Sequence, residues 1–206
     1  MTKYCAPVDI FLNLKTTKIY IRGLTILNEL KGDEMIGKKA PDFDAKAFVD
    51  GKFEDFRLSK LRGKWVVLFF YPADFTFVCP TELEGFADRL ADFKKLGAEV
   101  VSVSRDTVFV HKAWVENDDR VAKVKYAMVE DRKGEISRDY GVLDEVSGNS
   151  HRGLFIINPE GITKYVVITD DNVGRSTEET FRVLSALQSG GLCPVNWEPG
   201  EATLKV

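Results

Sequence analysis

Residues 65–84 read WVVLFFYPADFTFVCPTELE and join a strand-like segment to a helix-like one. The run from Trp65 to Tyr71 is continuously apolar and of strand length, which is typical of a strand buried on both faces of a sheet. After Cys79, apolar residues recur at helical spacing and define one buried face. They are Leu83, Phe86, Leu90, Phe93 and Leu96. The sequence therefore predicts that Cys79 lies where a central strand gives way to a helix, which Gly97 would end.

The rest of the chain alternates between strand and helix patterns. Asp50-Gly51 lies between two short strand-like segments and predicts a hairpin with a two-residue turn. A second hairpin is predicted from residues 153–158 and 162–169, which flank Pro159-Glu160-Gly161. The remaining predicted strands are at 98–104 and 125–129. Helices are predicted at 107–123, at 136–140 and from Ser176 onward. In this last helix Ser176 would be the N-cap and Glu179 its capping-box partner. This order predicts an α/β fold with a central mixed sheet and helices on both faces.

The bulk composition is that of a globular protein. The chain has 206 residues, of which 44% are hydrophobic and 30% charged, with a net charge of -3. This balance argues against a nucleic-acid-binding protein, which usually carries a basic surplus. No apolar run reaches the roughly 18 residues that a membrane span needs, and no secretory signal is recognisable. We therefore expect a cytoplasmic protein without nucleic-acid or membrane partners.

Residues 1–34 have no clear place in this pattern, whereas residues 35–206 fit one domain with a C-terminal tail at 189–206. Met35 opens MIGKKAPDF, which resembles an ordinary protein start. The preceding Lys31-Gly32-Asp33-Glu34 is what a purine-rich ribosome-binding sequence would encode. Residues 1–34 are thus either a translated leader or a genuine extension that packs on a neighbouring subunit. The intact mass of the native protein distinguishes these hypotheses.

Three cysteines need an explanation: Cys5, Cys79 and Cys193. They are too few and too scattered for a disulfide scaffold, and with only His111 and His151 they have no zinc-finger spacing. We expect both histidines to be structural or solvated and assign no role to Cys5. Cysteines in the cytoplasm are usually buried fillers, metal ligands or reactive thiols.

The surroundings of Cys79 favour a reactive thiol. The first turn of a helix favours a negative charge, and Pro80 costs little there because its missing N–H would have no partner. Thr76 is placed to hydrogen-bond the thiolate or a substrate oxygen, and Pro72 to shield the sulfur. Arg152 opens a strand that could reach the same edge of the sheet, and its guanidinium would stabilise the thiolate without competing for its proton.

Each of these residues also has a simpler interpretation. Cys79 would serve as a buried filler, Arg152 as a surface ion pair and Thr76 as an ordinary turn residue. Cys193 would be a loop cysteine without a role. Against this, Cys193 lies in a Gly-Gly-Leu-Cys-Pro stretch, and an accessible second thiol is the natural partner of a thiol oxidised to sulfenic acid.

Two motifs resemble those of a known family. The stretch from Pro72 to Glu82 resembles the active-site signature of the peroxiredoxins. Cys193-Pro-Val-Asn-Trp197 resembles the resolving-cysteine motif of their two-cysteine class, close to the alkyl hydroperoxide reductase C type. The resemblance runs from about Met35 to Leu204 and implies a thioredoxin-like fold.

The resemblance also implies the role of each site residue. Cys79 would be the peroxidatic cysteine that becomes a sulfenic acid, with Thr76 and Arg152 holding thiolate and peroxide, and Pro72 shielding the pocket. Two further residues would form the polar network that orients the arginine. They are Glu82 and Arg175. No metal, haem or flavin would be needed.

For Cys193 the resemblance implies an intersubunit disulfide with the sulfenic acid of a partner subunit. Thioredoxin or a flavoprotein disulfide reductase system would then restore the thiols. The implied assembly is a homodimer that often closes into a decamer of five dimers. Because Gly190-Gly191-Leu192 runs into Cys193 and no Tyr-Phe extension follows Trp197, we also predict resistance to overoxidation.

Three rival functions remain open from the sequence. A thioredoxin-type disulfide reductase needs a second cysteine where this chain has Glu82. A holdase chaperone would need surface rather than the Cys79 thiol. A papain-like hydrolase would need a histidine base, for which neither histidine has a recognisable context.

Overall fold

The computed structural model describes residues 35–205 and, before them, the backbone of three short strands. These strands form an antiparallel sheet in the order β1-β2-β3. They are β1 (Phe11–Asn13), β2 (Lys18–Ile21) and β3 (Leu24–Leu27). The chain separates into two compact units, residues 1–33 and residues 34–206. Apart from these three strands, residues 1–34 lie outside the described residues. The two hypotheses for them, a translated leader or a genuine extension, are therefore not tested by the structure.

The second unit is built on a seven-stranded mixed sheet. Its strands are β4 (Asp44–Val49), β5 (Lys52–Arg57), β6 (Trp65–Phe70), β7 (Ala98–Ser104), β8 (Ala127–Glu130), β9 (Arg152–Ile157) and β10 (Thr163–Thr169). The strand order is β10-β9-β6-β7-β8-β4-β5. The pairs β6–β7 and β7–β8 are parallel, and the others are antiparallel. This arrangement confirms the predicted mixed sheet and both hairpins.

In the described part of the chain, five α-helices flank the sheet. They are α1 (Cys79–Asp88), α2 (Leu90–Lys95), α3 (Val108–Asn117), α4 (Glu135–Asp139) and α5 (Thr177–Ser189). Short 3-10 helices cover Leu58–Leu61 and Val121–Lys123. Among the described residues, no helix is both long enough and apolar enough to cross a membrane.

Two predicted helices have different bounds in the structure. The apolar face from Leu83 to Leu96 is shared by α1 and α2, which are separated at Arg89, where φ is -99° and ψ is 7°. The helix predicted to reach residue 123 ends at Asn117, because Asp118 is extended and its carboxylate accepts hydrogen bonds from the backbone and side chain of Arg120. Such local side-chain bonds compete with a helix.

The predicted turn and cap residues behave largely as expected. Asp50 and Gly51 have φ of 41° and 85°, and Gly97 has φ of 65° after α2. The hydroxyl of Ser176 accepts the backbone N–H of Glu179 at 3.0 Å, which confirms it as the N-cap of α5. The capping box is not completed, however, because the carboxylate of Glu179 pairs with Arg182.

The core lies on both faces of β6, as its continuous apolar run predicts. Val67 and Phe69 contact the layer formed by α1, α2, α3 and α5, and Phe69 stacks on Phe86 with ring centroids 4.5 Å apart. Leu68 and Phe70 belong to the cluster on the opposite face. Burying an aromatic or branched side chain stabilises the fold by about 1.5–3 kcal/mol. This packing fixes the end of β6, from which the chain enters the site.

Candidate active site

Cys79 is the first residue of α1 and is fully buried. Val78, at the N-cap, provides no side-chain hydrogen bond to the first turn, and Pro80 has no N–H of its own. The unpaired N–H groups and the dipole at the start of a helix favour negative charge. Cys79 therefore lies at the electropositive end of a ten-residue helix.

Arg152 contacts the sulfur directly. It is the first residue of β9, is 3% exposed, and directs Nη1 to the Sγ of Cys79 at 3.4 Å. Its Nε donates to the carbonyl oxygen of Asp171 at 2.9 Å, which fixes the plane of the guanidinium. Burial lowers the pKa of Arg152, but its hydrogen bonds and charge interactions with Cys79 and Glu82 outweigh burial and raise it. The arginine remains protonated beside the thiol and stabilises negative charge on sulfur.

Glu82 holds Arg152 in place from the next turn of α1. Its Oε2 accepts Nη1 of Arg152 at 2.7 Å and Nη2 of Arg175 at 2.9 Å. Its Oε1 accepts the backbone N–H of Arg175 at 2.8 Å and Nε at 2.7 Å. Arg175 is tied in turn to the carbonyl oxygen of Gly153 at 2.6 Å. All three charged side chains are buried, and the carboxylate is fully used by the two arginines.

The charge of Glu82 is maintained despite its burial. Burial raises the pKa of this carboxyl, but the hydrogen bonds and charge of Arg175, together with the charge of Arg152, lower it below its usual range. An ionised carboxylate accepts charge-assisted hydrogen bonds, which are stronger than neutral ones. Glu82 therefore acts as an anionic anchor for Arg152.

Pro72 and Thr76 lie on the segment between β6 and α1 and are half-buried. The hydroxyl of Thr76 donates to the carbonyl oxygen of Ala73 at 2.8 Å. Among the described contacts it has no hydrogen bond with the Sγ of Cys79, so the expected bond to the thiolate is not formed in this conformation. Since its proton is used by Ala73, the oxygen of Thr76 has lone pairs available to accept a hydrogen bond.

Sequence reasoning missed the residues that fix this segment. The buried carboxylate of Asp74 accepts the hydroxyl of Tyr71 at 2.6 Å and lies 2.7 Å from Nδ1 of His111 on α3. His111 is fully buried rather than solvated, and its Nε2 has no partner among the described residues. Burial raises the pKa of Asp74, partly offset by the hydrogen bond and charge of His111, and it raises the pKa of Tyr71 well above the usual value. The segment is thus tied to α3 by a buried polar cluster.

Cys193 lies in the tail after α5, where it is half-buried. Both Cys193 and Cys79 are free thiols in this structure, and no contact joins them among the described residues. Neither histidine contacts the Sγ of Cys79 in the described part of the chain, so no imidazole base is paired with it. No group of three or more His, Cys, Asp or Glu residues among the described ones has the arrangement of a metal site.

Comparison with known proteins identifies the family. Residues 36–166 match the AhpC/TSA family. The putative peroxiredoxin YkuU of Bacillus subtilis is 49% identical over 178 residues, which cover 84% of this chain and 99% of the relative. Peroxiredoxin-1 of Gallus gallus is 47% identical, over 84% of this chain and 92% of the relative.

Solved structures agree with these relatives. AhpC of Enterococcus faecalis has a TM-score of 0.75 and 43% identity, and the match covers 78% of this chain and 99% of that one. A reduced 2-Cys peroxiredoxin of Plasmodium vivax has a TM-score of 0.78 and 34% identity, over 83% of this chain and 93% of the other. The sheet and its flanking helices therefore form the thioredoxin-like fold of these proteins, and the chain belongs to the AhpC/TSA family. Within that family it is a peroxiredoxin, an enzyme with thiol-dependent peroxidase activity.

Proposed function

We propose that this peroxiredoxin is of the two-cysteine, AhpC type, with Cys79 as the peroxidatic and Cys193 as the resolving cysteine. The observation that carries the proposal is the 3.4 Å contact between Nη1 of Arg152 and the Sγ of Cys79. A buried guanidinium that is anchored by Glu82 and Arg175 is a preorganised group for stabilising charge at this sulfur. Hydrogen peroxide and organic hydroperoxides are the proposed substrates.

In the first step, the thiolate of Cys79 attacks one peroxide oxygen and the O–O bond breaks. Sulfur loses two electrons and becomes a sulfenic acid, while the other oxygen leaves as water or an alcohol after taking up a proton. Arg152 stabilises the charge that moves from sulfur to the departing oxygen. Thr76, whose proton is used by Ala73, accepts a hydrogen bond from the O–H of the peroxide, and Pro72 keeps bulk water away.

In the second step, Cys193 of a partner subunit attacks the sulfenic acid. The S–H proton and the sulfenic hydroxyl leave as water, and an intersubunit disulfide forms. A dithiol donor, thioredoxin or a flavoprotein disulfide reductase system, reduces this disulfide. Resistance to overoxidation stays a prediction, which abundant sulfinic acid on Cys79 at modest peroxide would contradict.

The proposed assembly is a homodimer that closes into a decamer of five dimers. Strand β10 is an edge of the sheet, and an edge strand has unpaired backbone groups that can pair with another chain. Several aromatic side chains on α3 and on the segments beside it are exposed, and contiguous exposed apolar surface marks interaction sites. They are Phe53, Phe75, Phe77 and Phe109. We also propose that residues 35–206 form the catalytic domain and that it functions in the cytoplasm.

Peroxide consumption with a thioredoxin system tests the proposal, with non-reducing gels of the same samples. We expect the wild type to turn over and form a covalent dimer, Cys79→Ser to do neither, and Cys193→Ser to complete only one turnover with this donor. Arg152→Lys keeps the charge but loses the planar fork, and we expect the reaction with peroxide to slow by roughly 100-fold. If Cys79→Ser still consumes peroxide at the wild-type rate, Cys79 is not the reactive thiol and the holdase function is favoured.

A further inference from the structure

The sheet holds the backbone of Arg152 on one side only. Arg152 is the first residue of β9 and lies opposite Thr169 of β10. On the other side of β9, strand β6 pairs only with the residues from Leu154 to Ile157. The guanidinium that contacts Cys79 is therefore attached at a strand end, and its position depends on the residues that precede this strand.

Ser137 on α4 is the centre of a buried polar cluster that precedes β9. Its N–H and its hydroxyl donate to Oδ2 of Asp131 at 2.7 and 2.6 Å, and its hydroxyl lies 2.6 Å from that of Ser150. Its carbonyl oxygen accepts the N–H groups of Val142 at 2.8 Å and Leu143 at 3.1 Å. Asp131, Ser137 and Ser150 are each 3% exposed or less. Because these groups are buried, losing one of them leaves its partner without a replacement from water.

The cluster reaches Arg152 by two routes. Ser150 precedes Arg152 by two residues, and the carbonyl oxygen of Val142 accepts the N–H of the intervening His151 at 2.7 Å. Val142 also packs on Gly153, where a Cβ atom would come within 2.5 Å of Cγ1 of Val142. Only a glycine permits so close an approach to the backbone. The residues on both sides of Arg152 are thus held by the segment that follows α4.

Asp131 fastens the cluster to other strands of the sheet. It directly follows β8, and its N–H donates to the carbonyl oxygen of Ser104 at the end of β7 at 2.7 Å. Its own carbonyl oxygen accepts Nε of Arg105 at 2.8 Å and the N–H of Gly134 at 2.9 Å. In the sheet, β6 and β7 lie between β8 and β9. The cluster therefore ties the start of β9 to the ends of strands that are not its neighbours.

We propose that Ser137 and Ser150 are positioning residues for the reaction of Cys79 with peroxide. Their hydroxyl contact, anchored on Asp131, sets where the guanidinium of Arg152 lies against the sulfur. Charge stabilisation of this kind depends on preorganised geometry, so a small displacement of the guanidinium slows the reaction. Neither serine contacts the sulfur among the described residues, and both act through Arg152. The inference rests on the proposed function, since it takes Cys79 to be the thiol that attacks peroxide.

The test compares Ser150→Ala, Ser137→Ala, the double variant and Ser102→Ala in the full-length protein. Ser102 is the matched control, because it is fully buried on β7 and its hydroxyl donates to the carbonyl oxygen of Ala127 at 3.3 Å, away from the cluster. Alkylation of reduced Cys79 by iodoacetamide is followed by peptide mass spectrometry at a series of pH values. The midpoint of this profile reports where the reactive thiolate forms. Stopped-flow reaction with hydrogen peroxide and urea unfolding are measured on the same proteins.

We expect Ser150→Ala to slow the reaction with hydrogen peroxide by about threefold to tenfold, as the loss of one buried hydrogen bond allows. The alkylation midpoint of Cys79 should rise by about half a unit to one pH unit, because the displaced guanidinium stabilises the thiolate less. Ser137→Ala should act in the same direction. The double variant should be no slower than Ser137→Ala, since both hydroxyls serve one contact.

Ser102→Ala should keep the wild-type rate and midpoint even where it unfolds at a lower urea concentration. A Ser150→Ala protein that loses stability but keeps the wild-type midpoint would overturn the proposal, as would an equal shift of the midpoint in Ser102→Ala. Ser150→Ala removes one oxygen at the edge of the cluster, so it carries the test even where Ser137→Ala does not fold. Because alkylation needs no peroxide, its result is separate from the proposed function, which fails if Cys79→Ser still consumes peroxide.

Discussion

Glu82 is the residue on which the charge arrangement of the site depends. It is buried and accepts hydrogen bonds from Arg152 and Arg175, so its replacement by Gln leaves two buried guanidinium groups without a counter-charge. Removing one partner of a buried ion pair costs about 3–5 kcal/mol, and we expect Glu82→Gln to lower the free energy of unfolding by that amount. Urea unfolding measures it. Glu178→Gln is the control, because Glu178 pairs with Arg89 at an exposed site.

The free energy of unfolding should fall severalfold more in Glu82→Gln than in Glu178→Gln, since exposed ion pairs contribute little to stability. The peroxide reaction of Cys79 should also slow in Glu82→Gln, because the guanidinium of Arg152 is no longer held. If the two variants unfold at the same urea concentration, the buried network does not stabilise the fold as described.

The same carboxylate predicts a pH dependence of stability. Burial raises the pKa of Glu82, but the bonds and charges of Arg175 and Arg152 outweigh burial, so the folded pKa lies below the unfolded value of 4.5. A carboxyl with a lowered folded pKa stabilises the protein above its unfolded pKa, and this contribution is lost as the pH falls through the folded value. The stability difference between wild type and Glu82→Gln should therefore be largest near neutral pH and shrink below about pH 4.5. A difference that is constant across this range would contradict the shift.

Sequence reasoning identifies the residues at the sulfur of Cys79, but not the residues that hold the segment between β6 and α1 in place. Cys79 and Arg152 can be selected because a helix start and a strand start are recognisable as patterns, and the structure brings them into contact. Asp74 and His111 escape such reasoning, because their pairing joins a loop to a helix 37 residues away and no local pattern encodes it. The direction of the Thr76 hydroxyl is equally inaccessible, since it depends on the backbone of Ala73.

At the scale of elements, the buried cluster of Tyr71, Asp74 and His111 couples the segment before α1 to α3. The ring of Phe75, a residue with φ of 55°, packs on Trp114 of α3 at 5.7 Å between centroids. A left-handed non-glycine residue costs about 1–3 kcal/mol and persists only where its surroundings hold it. The ties to α3 provide that support.

His111→Leu should therefore loosen the segment without removing any group that touches peroxide. Asp74 loses a buried hydrogen-bond partner, which costs about 1–3 kcal/mol of stability. We expect the reaction of Cys79 with hydrogen peroxide to slow by about tenfold, because small displacements of reacting groups are costly. Stopped-flow measurement detects the slower reaction. The intrinsic fluorescence spectrum, to which all three tryptophans contribute, follows the loss of stability during urea unfolding.

Lys112→Leu is the control for this variant, since Lys112 is the exposed neighbour of His111 on α3 and pairs with Glu116. Its replacement adds the same leucine side chain to the same helix without touching the buried cluster. A His111→Leu protein with the rate and spectrum of the control would show that the cluster does not position the segment.

The elements are predictable from the sequence wherever local chemistry decides them. The β6 strand, the Asp50-Gly51 turn and the Ser176 cap follow from apolar periodicity and backbone preference alone. The break between α1 and α2 is not predictable in this way, because the apolar face continues across Arg89 and no glycine or proline marks the position. The strand order also requires the structure, since β9 pairs antiparallel with β6, Ile157 opposite Val66, and no local pattern encodes that pairing.

At the scale of the whole molecule, the distribution of exposed apolar side chains is uneven. Phe77 is 93% exposed and Phe109 is 69% exposed, and both lie on the elements that build the site, the segment before α1 and α3. Phe109 also packs against Phe53 of β5 with ring centroids 5.3 Å apart. Aromatic residues are enriched in protein interfaces, so this surface is the proposed contact between dimers. Assembly and catalysis would then share the same elements.

Phe109→Glu tests this surface at the scale of the assembly. A charge placed in the centre of an apolar interface disfavours association, and we expect the variant to sediment as a dimer at concentrations where the wild type sediments as a larger particle. The covalent dimer formed through Cys79 and Cys193 should persist on non-reducing gels, because the proposed intersubunit disulfide does not use this surface. Val146→Glu is the matched control, since Val146 is 97% exposed on the loop between α4 and β9 and its replacement should leave the sedimentation of the protein unchanged. If Phe109→Glu, like Val146→Glu, sediments as a particle of the same size as the wild type, the contact between dimers lies elsewhere on the molecule.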